Sequence, residues 1–134
     1  MYSYKIEGGT PLRGDISISG SKNAVLGILA AAMLLDGPCE LENVPDISDV
    51  HVMVDLCRSI GATITSKGAY SLRIDPTTIH TYKATGPLVA RIRASYYLRG
   101  ALLGRFGKAS LRMPGGCNFG QRPIDYHLKA FKLM

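Results

Sequence analysis

The segment Pro114-Gly115-Gly116-Cys117-Asn118-Phe119-Gly120-Gln121-Arg122-Pro123-Ile124-Asp125-Tyr126-His127 holds the densest set of reactive groups in the chain. Its three glycines allow backbone conformations that other residues avoid, so the spacing predicts a pliable loop carrying an exposed thiol. Cys117 lies near Arg122 and just ahead of a predicted helix start. A nearby cation and a helix N-terminus both favour thiolate, which is what a nucleophile or acid–base thiol requires. The same residues also describe a glycine-rich turn with an incidental cysteine. A second cluster is Ser19-Gly20-Ser21-Lys22-Asn23. A strand ends there, a glycine turns the chain, and a helix begins with its free N–H groups and a lysine, which suits a phosphate or carboxylate. The spacing is not that of a P-loop. Taken alone, that segment is described better by an ordinary capped helix with a solvated lysine. Arg91, Arg93, Arg99 and Arg105 add cations whose forked geometry matches diphosphate or carboxylate oxygens. On a continuous helix Arg91 and Arg93 would point about 200° apart, so at most one of them faces a given site.

The elements that must position these groups follow from periodicity and punctuation. Alternation predicts short strands at Tyr2–Glu7 and Ile16–Ser19. A helix rich in Ala and Leu runs from Lys22 to Leu35, apolar nearly all round and therefore expected to be deeply buried. Cys39–Val44 reads as a strand. A helix capped by Ser48 ends near Ile60, with Gly61 as its stop. Residues 62–74 form a hairpin turning at Ser66-Lys67-Gly68, and 75–87 a loop. A third helix spans Leu88–Leu103 and stops at Gly104; Ala109–Met113 is a strand, and a last helix starts near Pro123. This alternation fits a mixed α/β, α+β layered domain. There is an internal echo: Asp49 leading an apolar helix resembles Asp125 leading the helix to Met134. The apolar face of that last helix (Leu128, Phe131, Leu133, Met134) needs a cover, so we expect a chain cut from a larger protein and prone to self-association.

Composition narrows the partners. The 134 residues carry a formal net charge of +6, which favours anionic ligands. The basic residues are dispersed and there is no Trp, which argues against nucleic acid. The longest apolar run, Ala24–Leu35, falls well short of the ~20 residues of a spanning helix. No basic leader precedes it, so we expect no membrane partner and a cytoplasmic location. Three cysteines without a CxxC pair suggest free thiols, no disulfide framework and no metal site. Cys39 in a strand and Cys57 in a helix read as inert packing residues. His51, His80 and His127 lack metal-ligand spacing.

On these residues the sequence resembles the UDP-N-acetylglucosamine enolpyruvyl (1-carboxyvinyl) transferase family. The carriers are Ile18-Ser19-Gly20-Ser21-Lys22-Asn23-Ala24, Asn43-Val44-Pro45 with Asp49-Val50, Arg93-Ala94-Ser95, and Pro114-Gly115-Gly116-Cys117 leading to Gly120, Arg122-Pro123-Ile124-Asp125 and His127. They recur in order along nearly the whole chain, and the cysteine loop separates this family from the related shikimate-phosphate enzymes. The resemblance implies an N-terminal portion of an inside-out α/β barrel built from βαβαββ units. Residues 1–20 would be strands belonging to the second domain, and 21–134 the first part of the domain that bears the cysteine loop. It implies transfer of enolpyruvate from phosphoenolpyruvate to the 3′-hydroxyl of UDP-N-acetylglucosamine, with release of phosphate and no cofactor, as the first committed step of peptidoglycan synthesis. By position, Lys22, Asn23 and Arg122 would contact phosphoenolpyruvate. Arg93 would contact the UDP-sugar, and Arg122, Pro123, Ile124, Asp125 and Tyr126 would line its uridine pocket. Cys117 would be the catalytic loop thiol and the site of fosfomycin alkylation. Asn118, Phe119 and Gln121 replace the small or aliphatic residues usual in that loop, and Tyr126 replaces an aliphatic one. The alternatives are a non-catalytic anion-binding module of the same descent, and a cysteine hydrolase pairing Cys117 with a histidine.

Overall fold

A computed structural model describes residues 3–113, 115 and 123–133. The predicted loop residues Cys117 and Arg122 lie outside them. Residues 3–19 are exposed throughout and form no strand. Tyr4, Ile6, Leu12, Ile16 and Ile18 are each at least 87% exposed. The two strands expected there are therefore corrected. Alternation decides which way side chains point, but a strand exists only where a neighbour completes its hydrogen bonds, and no described segment pairs with this one.

The body begins with α1 (Lys22–Ala32), whose Ala and Leu residues favour helix. It buries Val25, Leu26, Leu29, Ala30 and Ala32. It is not buried all round, as its composition suggested: Ala24, Ile28, Ala31 and Leu35 stay exposed in a helix-spaced stripe. β1 (Cys39–Leu41) follows. Next comes α2 (Ser48–Ser59), with Asp49 in its first turn and Arg58 in its last, both favourable to the helix dipole. Its N-cap is Ile47 rather than Ser48. The hairpin predicted over 62–74 is present as β2 (Thr63–Gly68) and β3 (Ser71–Asp75), but it turns at Ala69-Tyr70. Ser66-Lys67-Gly68, expected to form the turn, belong to β2 because Ser66 and Gly68 still pair with β3. The three strands form an antiparallel sheet in the order β1-β3-β2, with Ile74 opposite both Cys39 and Ile64. α2 packs between this sheet and α1, and Met53, Cys57, Ile60 and Ile74 are fully enclosed. Gly61 stops α2 with a φ of 108°, as the sequence reading expected.

The single helix expected over 88–103 is instead two 3-10 turns (Pro87–Ala90 and Arg93–Tyr96) and then α3 (Tyr97–Phe106). The break lies at Ile92, which is extended with φ −133° and ψ 144°. Ser95 explains it. Its hydroxyl is fully buried and lies 2.8 Å from the carbonyl oxygens of both Val89 and Ile92, groups that a continuous helix would have used itself. α3 passes through Gly104 and ends at Gly107. A side chain at Gly104 would press on Leu34, two residues past the end of α1, so the glycine marks a close approach of the chain and not a stop. The loop expected over 75–87 contains β4 (Lys83–Ala84), which pairs in parallel with β5 (Ser110–Leu111). α4 (Asp125–Leu133) completes the described chain. Among the described residues no helix is long and apolar enough to cross a membrane, and no group of three or more His, Cys, Asp or Glu could hold a metal.

Candidate functional site

Lys22 and Asn23 open α1 and are exposed, so the helix start predicted as an anion site faces outward. Ser21 stands at the N-cap but makes no side-chain capping bond. The first-turn N–H groups are therefore not used up by a local cap, which is the condition for holding an anion there. The Lys22 ammonium lies 3.0 Å from Oδ2 of Asp49, on the first turn of α2. Both side chains are partly solvated, so this pair orients the lysine more than it stabilises the fold. An incoming phosphate would share that ammonium with Asp49.

Behind the turn, Gly20 donates its N–H to Oδ1 of Asn43 at 3.0 Å. A Cβ at Gly20 would collide with the Asn43 carbonyl, so only glycine lets the two backbones meet. Asn43 itself has a φ of 55°. Neither Asn43 nor Asp49 was given a role at the site by the sequence, where both stood in the matched motifs and Asp49 also led the echoed helix. The usable signal was the asparagine just after a short strand and before Val-Pro, since asparagine tolerates the left-handed region better than most residues.

A second group gathers around α3 and α4. Arg93 is half-buried at the start of its 3-10 turn, its guanidinium 5.9 Å from the centroid of the Tyr96 ring. Arg91 is exposed, so the two arginines do differ in direction, though through a broken backbone and not a helical one. Tyr96 also meets His127 edge-on at 5.8 Å and Tyr97 at 4.6 Å. Its hydroxyl pKa is raised, first by burial and then by hydrogen bonding and charge contact with Tyr97. Tyr96, Tyr97, Arg99, Ile124, His127 and Phe131 are among the walls of a mainly apolar groove of about 250 Å³. Of the residues predicted for a uridine pocket, Ile124 is buried at this groove, while Pro123, Asp125 and Tyr126 face solvent. Arg105 is engaged within the fold. Its guanidinium donates at 3.1 Å to the carbonyls of Met33 and Leu35, capping the C-terminal end of α1.

Of the segment 114–122 only Gly115 is described. A Cβ there would strike the Ala90 backbone, so Gly115 lies hard against the first 3-10 turn, beside the residue before Arg91. The other cysteines behave as packing residues. Burial pushes the Cys57 thiol up to about 12, and Cys39, half-buried in β1, is also raised by burial. A second groove, about 340 Å³ between α2 and the hairpin, is lined by residues such as Val44, His51, Arg58 and Tyr70 and by none of the predicted site residues.

Residues 6–134 match the family profile described as EPSP synthase (3-phosphoshikimate 1-carboxyvinyltransferase). Over all 134 residues the chain is 44% identical to a UDP-N-acetylglucosamine 1-carboxyvinyltransferase of Caldanaerobacter subterraneus subsp. tengcongensis. It is 46% identical over the same length to one of Streptococcus pneumoniae. The chain spans 32% of the length of each of these relatives, about a third. In structure it is similar to the enolpyruvyl transferase NikO from Streptomyces tendae, with a TM-score of 0.64 and 34% identity. That likeness covers 75% of this chain and 23% of the other.

Proposed function

Since this chain belongs to the EPSP synthase family of carboxyvinyltransferases, we propose that it is part of an enzyme that transfers enolpyruvate from phosphoenolpyruvate to UDP-N-acetylglucosamine. The observation that carries this reading is identity of 44% or more to named UDP-N-acetylglucosamine 1-carboxyvinyltransferases across every residue of the chain. In the reaction the sugar 3′-hydroxyl gives up its proton to a base as its oxygen bonds C2 of phosphoenolpyruvate, and C3 gains a proton. Loss of that proton then expels inorganic phosphate and restores the double bond. Both substrates are anionic, and the exposed Lys22 and Asn23 at an uncapped helix start supply the donors for phosphoenolpyruvate. Arg122 joins them in this proposal, and Arg93 serves the UDP-sugar. Residues 122–126 line the uridine pocket, a role supported by the burial of Ile124 beside the aromatic groove. Cys117 is the loop thiol that handles protons and is alkylated by fosfomycin. The buried, protonated state of Cys57 and the raised pKa of Cys39 leave neither suited to that task.

The product of this reaction feeds peptidoglycan synthesis, and the enzyme's place is the cytoplasm. Residues 1–20 belong to a second domain in this reading, which fits the exposure of residues 3–19 on the described body. The outer stripe of α1 and the face of α4 are then surfaces through which isolated chains self-associate. The test is phosphate release from phosphoenolpyruvate by this chain, with and without UDP-N-acetylglucosamine, alongside intact-mass analysis after fosfomycin treatment. Release that needs both substrates, or one fosfomycin adduct on Cys117 promoted by the UDP-sugar, supports the transferase. Saturable phosphoenolpyruvate binding with neither turnover nor adduct would favour a non-catalytic anion-binding module.

A further inference from the structure

We propose that Asn43 is a positioning residue for the Lys22–Asn23 anion site, acting through Gly20. Its left-handed backbone is the first indication. Asn43 is the one non-glycine residue with positive φ among the described residues. Glycine would adopt that conformation without cost, so the presence of asparagine calls for a use of its side chain. That use is visible: the carboxamide oxygen accepts the Gly20 N–H at 3.0 Å, across 23 residues of sequence. Gly20 meets the same residue again through its missing side chain, because the Asn43 carbonyl occupies the place of a Cβ. The next residue, Val44, donates its N–H to Tyr70 at 2.9 Å, so Asn43 is itself held from the hairpin side. A chain of contacts thus runs from the β2–β3 turn through Asn43 to Gly20, two residues before Lys22. Asp49 grips Lys22 from the other side, through its ammonium.

The mechanical consequence is specific. Pinning the N–H of Gly20, outside the helix proper, fixes the direction from which the chain enters α1. It leaves the N–H groups of the first helical turn for the ligand. Without the carboxamide, Gly20 and Ser21 can rotate and the lysine loses its fixed starting point, while the apolar core beneath α1 is untouched. Positioning of this kind alters ligand affinity more than it alters folding.

The inference rests on the reading of Lys22 as a phosphoenolpyruvate contact, and the experiment separates the two. Asn43→Gly keeps the left-handed backbone and removes the acceptor; Asn43→Asp keeps both an acceptor and tolerance of that conformation. Phosphoenolpyruvate is titrated into wild type, both variants and Lys22→Ala, following the amide signals of residues 20–23. Thermal midpoints and the rate of pulse acetylation at Lys22 are recorded alongside. We expect Asn43→Gly to keep a midpoint close to wild type while weakening phosphoenolpyruvate about fivefold, the worth of one hydrogen bond. Lys22 should acetylate faster in that variant, and Asn43→Asp should restore both. Unchanged binding and unchanged acetylation in Asn43→Gly would overturn the proposal even if Lys22→Ala abolishes binding. A wild-type chain that shows no response to phosphoenolpyruvate would sink the substrate reading instead. The acetylation rate of Lys22 in Asn43→Gly would then decide the positioning role by itself.

Discussion

The order helix, strand, helix occurs twice in this molecule, as α1–β1–α2 and as α3–β5–α4, and the two copies end differently. In the first, α2 buries Val50, Val52, Met53, Val54, Leu56 and Cys57. In the second, α4 buries none of its own residues; Leu128 and Phe131 are half-covered and Leu133 is 81% exposed. Both helices begin with an aspartate in the first turn and end with a basic residue in the last. What separates them is cover from both sides: α2 lies between α1 and the sheet that holds the β2–β3 hairpin, and that hairpin has no counterpart over α4 among the described residues. An amphipathic sequence therefore specifies which face of a helix wants cover, and leaves open whether cover is supplied.

The largest effect should come from cutting a side chain in the covered copy. Met53→Ala removes a fully enclosed side chain and should cost roughly 2–5 kcal/mol in urea denaturation, whereas Leu133→Ala should change stability by no more than ~0.5 kcal/mol. Similar losses for the two would break the comparison. A smaller effect should appear in alkali. The Cys57 thiol is raised from 9.0 to about 12 in the fold, so its contribution is complete below about pH 9 and drains away as pH rises toward 12. Cys57→Ala should lower overall stability yet flatten that alkaline decline, as read from urea midpoints between pH 8 and about 10.5. An unchanged slope would remove Cys57 as its source. The smallest effect belongs to the edge of the covered copy. Hydrogen bonding by Lys67 is the main reason that the Glu40 carboxyl lies below its ordinary 4.5, with Arg73 and the charges of both assisting. Its contribution is present above that value and is lost as pH falls through the lower folded one. Being exposed, it should give Glu40→Gln only a slight drop in the thermal midpoint at neutral pH, with no difference from wild type in acid. A large drop would mean that β1 is tied to the hairpin more by charge than by its backbone ladder.

Local features were legible and non-local ones were not. Periodicity and Gly61 gave α1, α2 and the hairpin because each is decided within a few residues of itself. The break at Ile92 was hidden because it depends on where the Ser95 hydroxyl points, and the role of Gly104 inside α3 was hidden because it makes room for Leu34, distant in sequence. The strands expected in 3–19 failed for want of a partner, not for want of pattern. At the candidate site, the lysine at the helix start could be read directly. The grip of Asn43 on Gly20 spans 23 residues and could not. Nor could sequence alone show that Arg105 is committed to the carbonyls of α1.

The exposed arm at 3–19 also bears on how this sequence can vary. Because its side chains touch none of the core, a random replacement there leaves the folded body as stable as before. Selection for a stable body is therefore blind to Tyr4, Ile6, Leu12, Ile16 and Ile18, and would let them drift toward polar residues. Their apolar character would have to be kept by some other demand on the arm, whereas Gly20, one step further along, is held in place by the body itself.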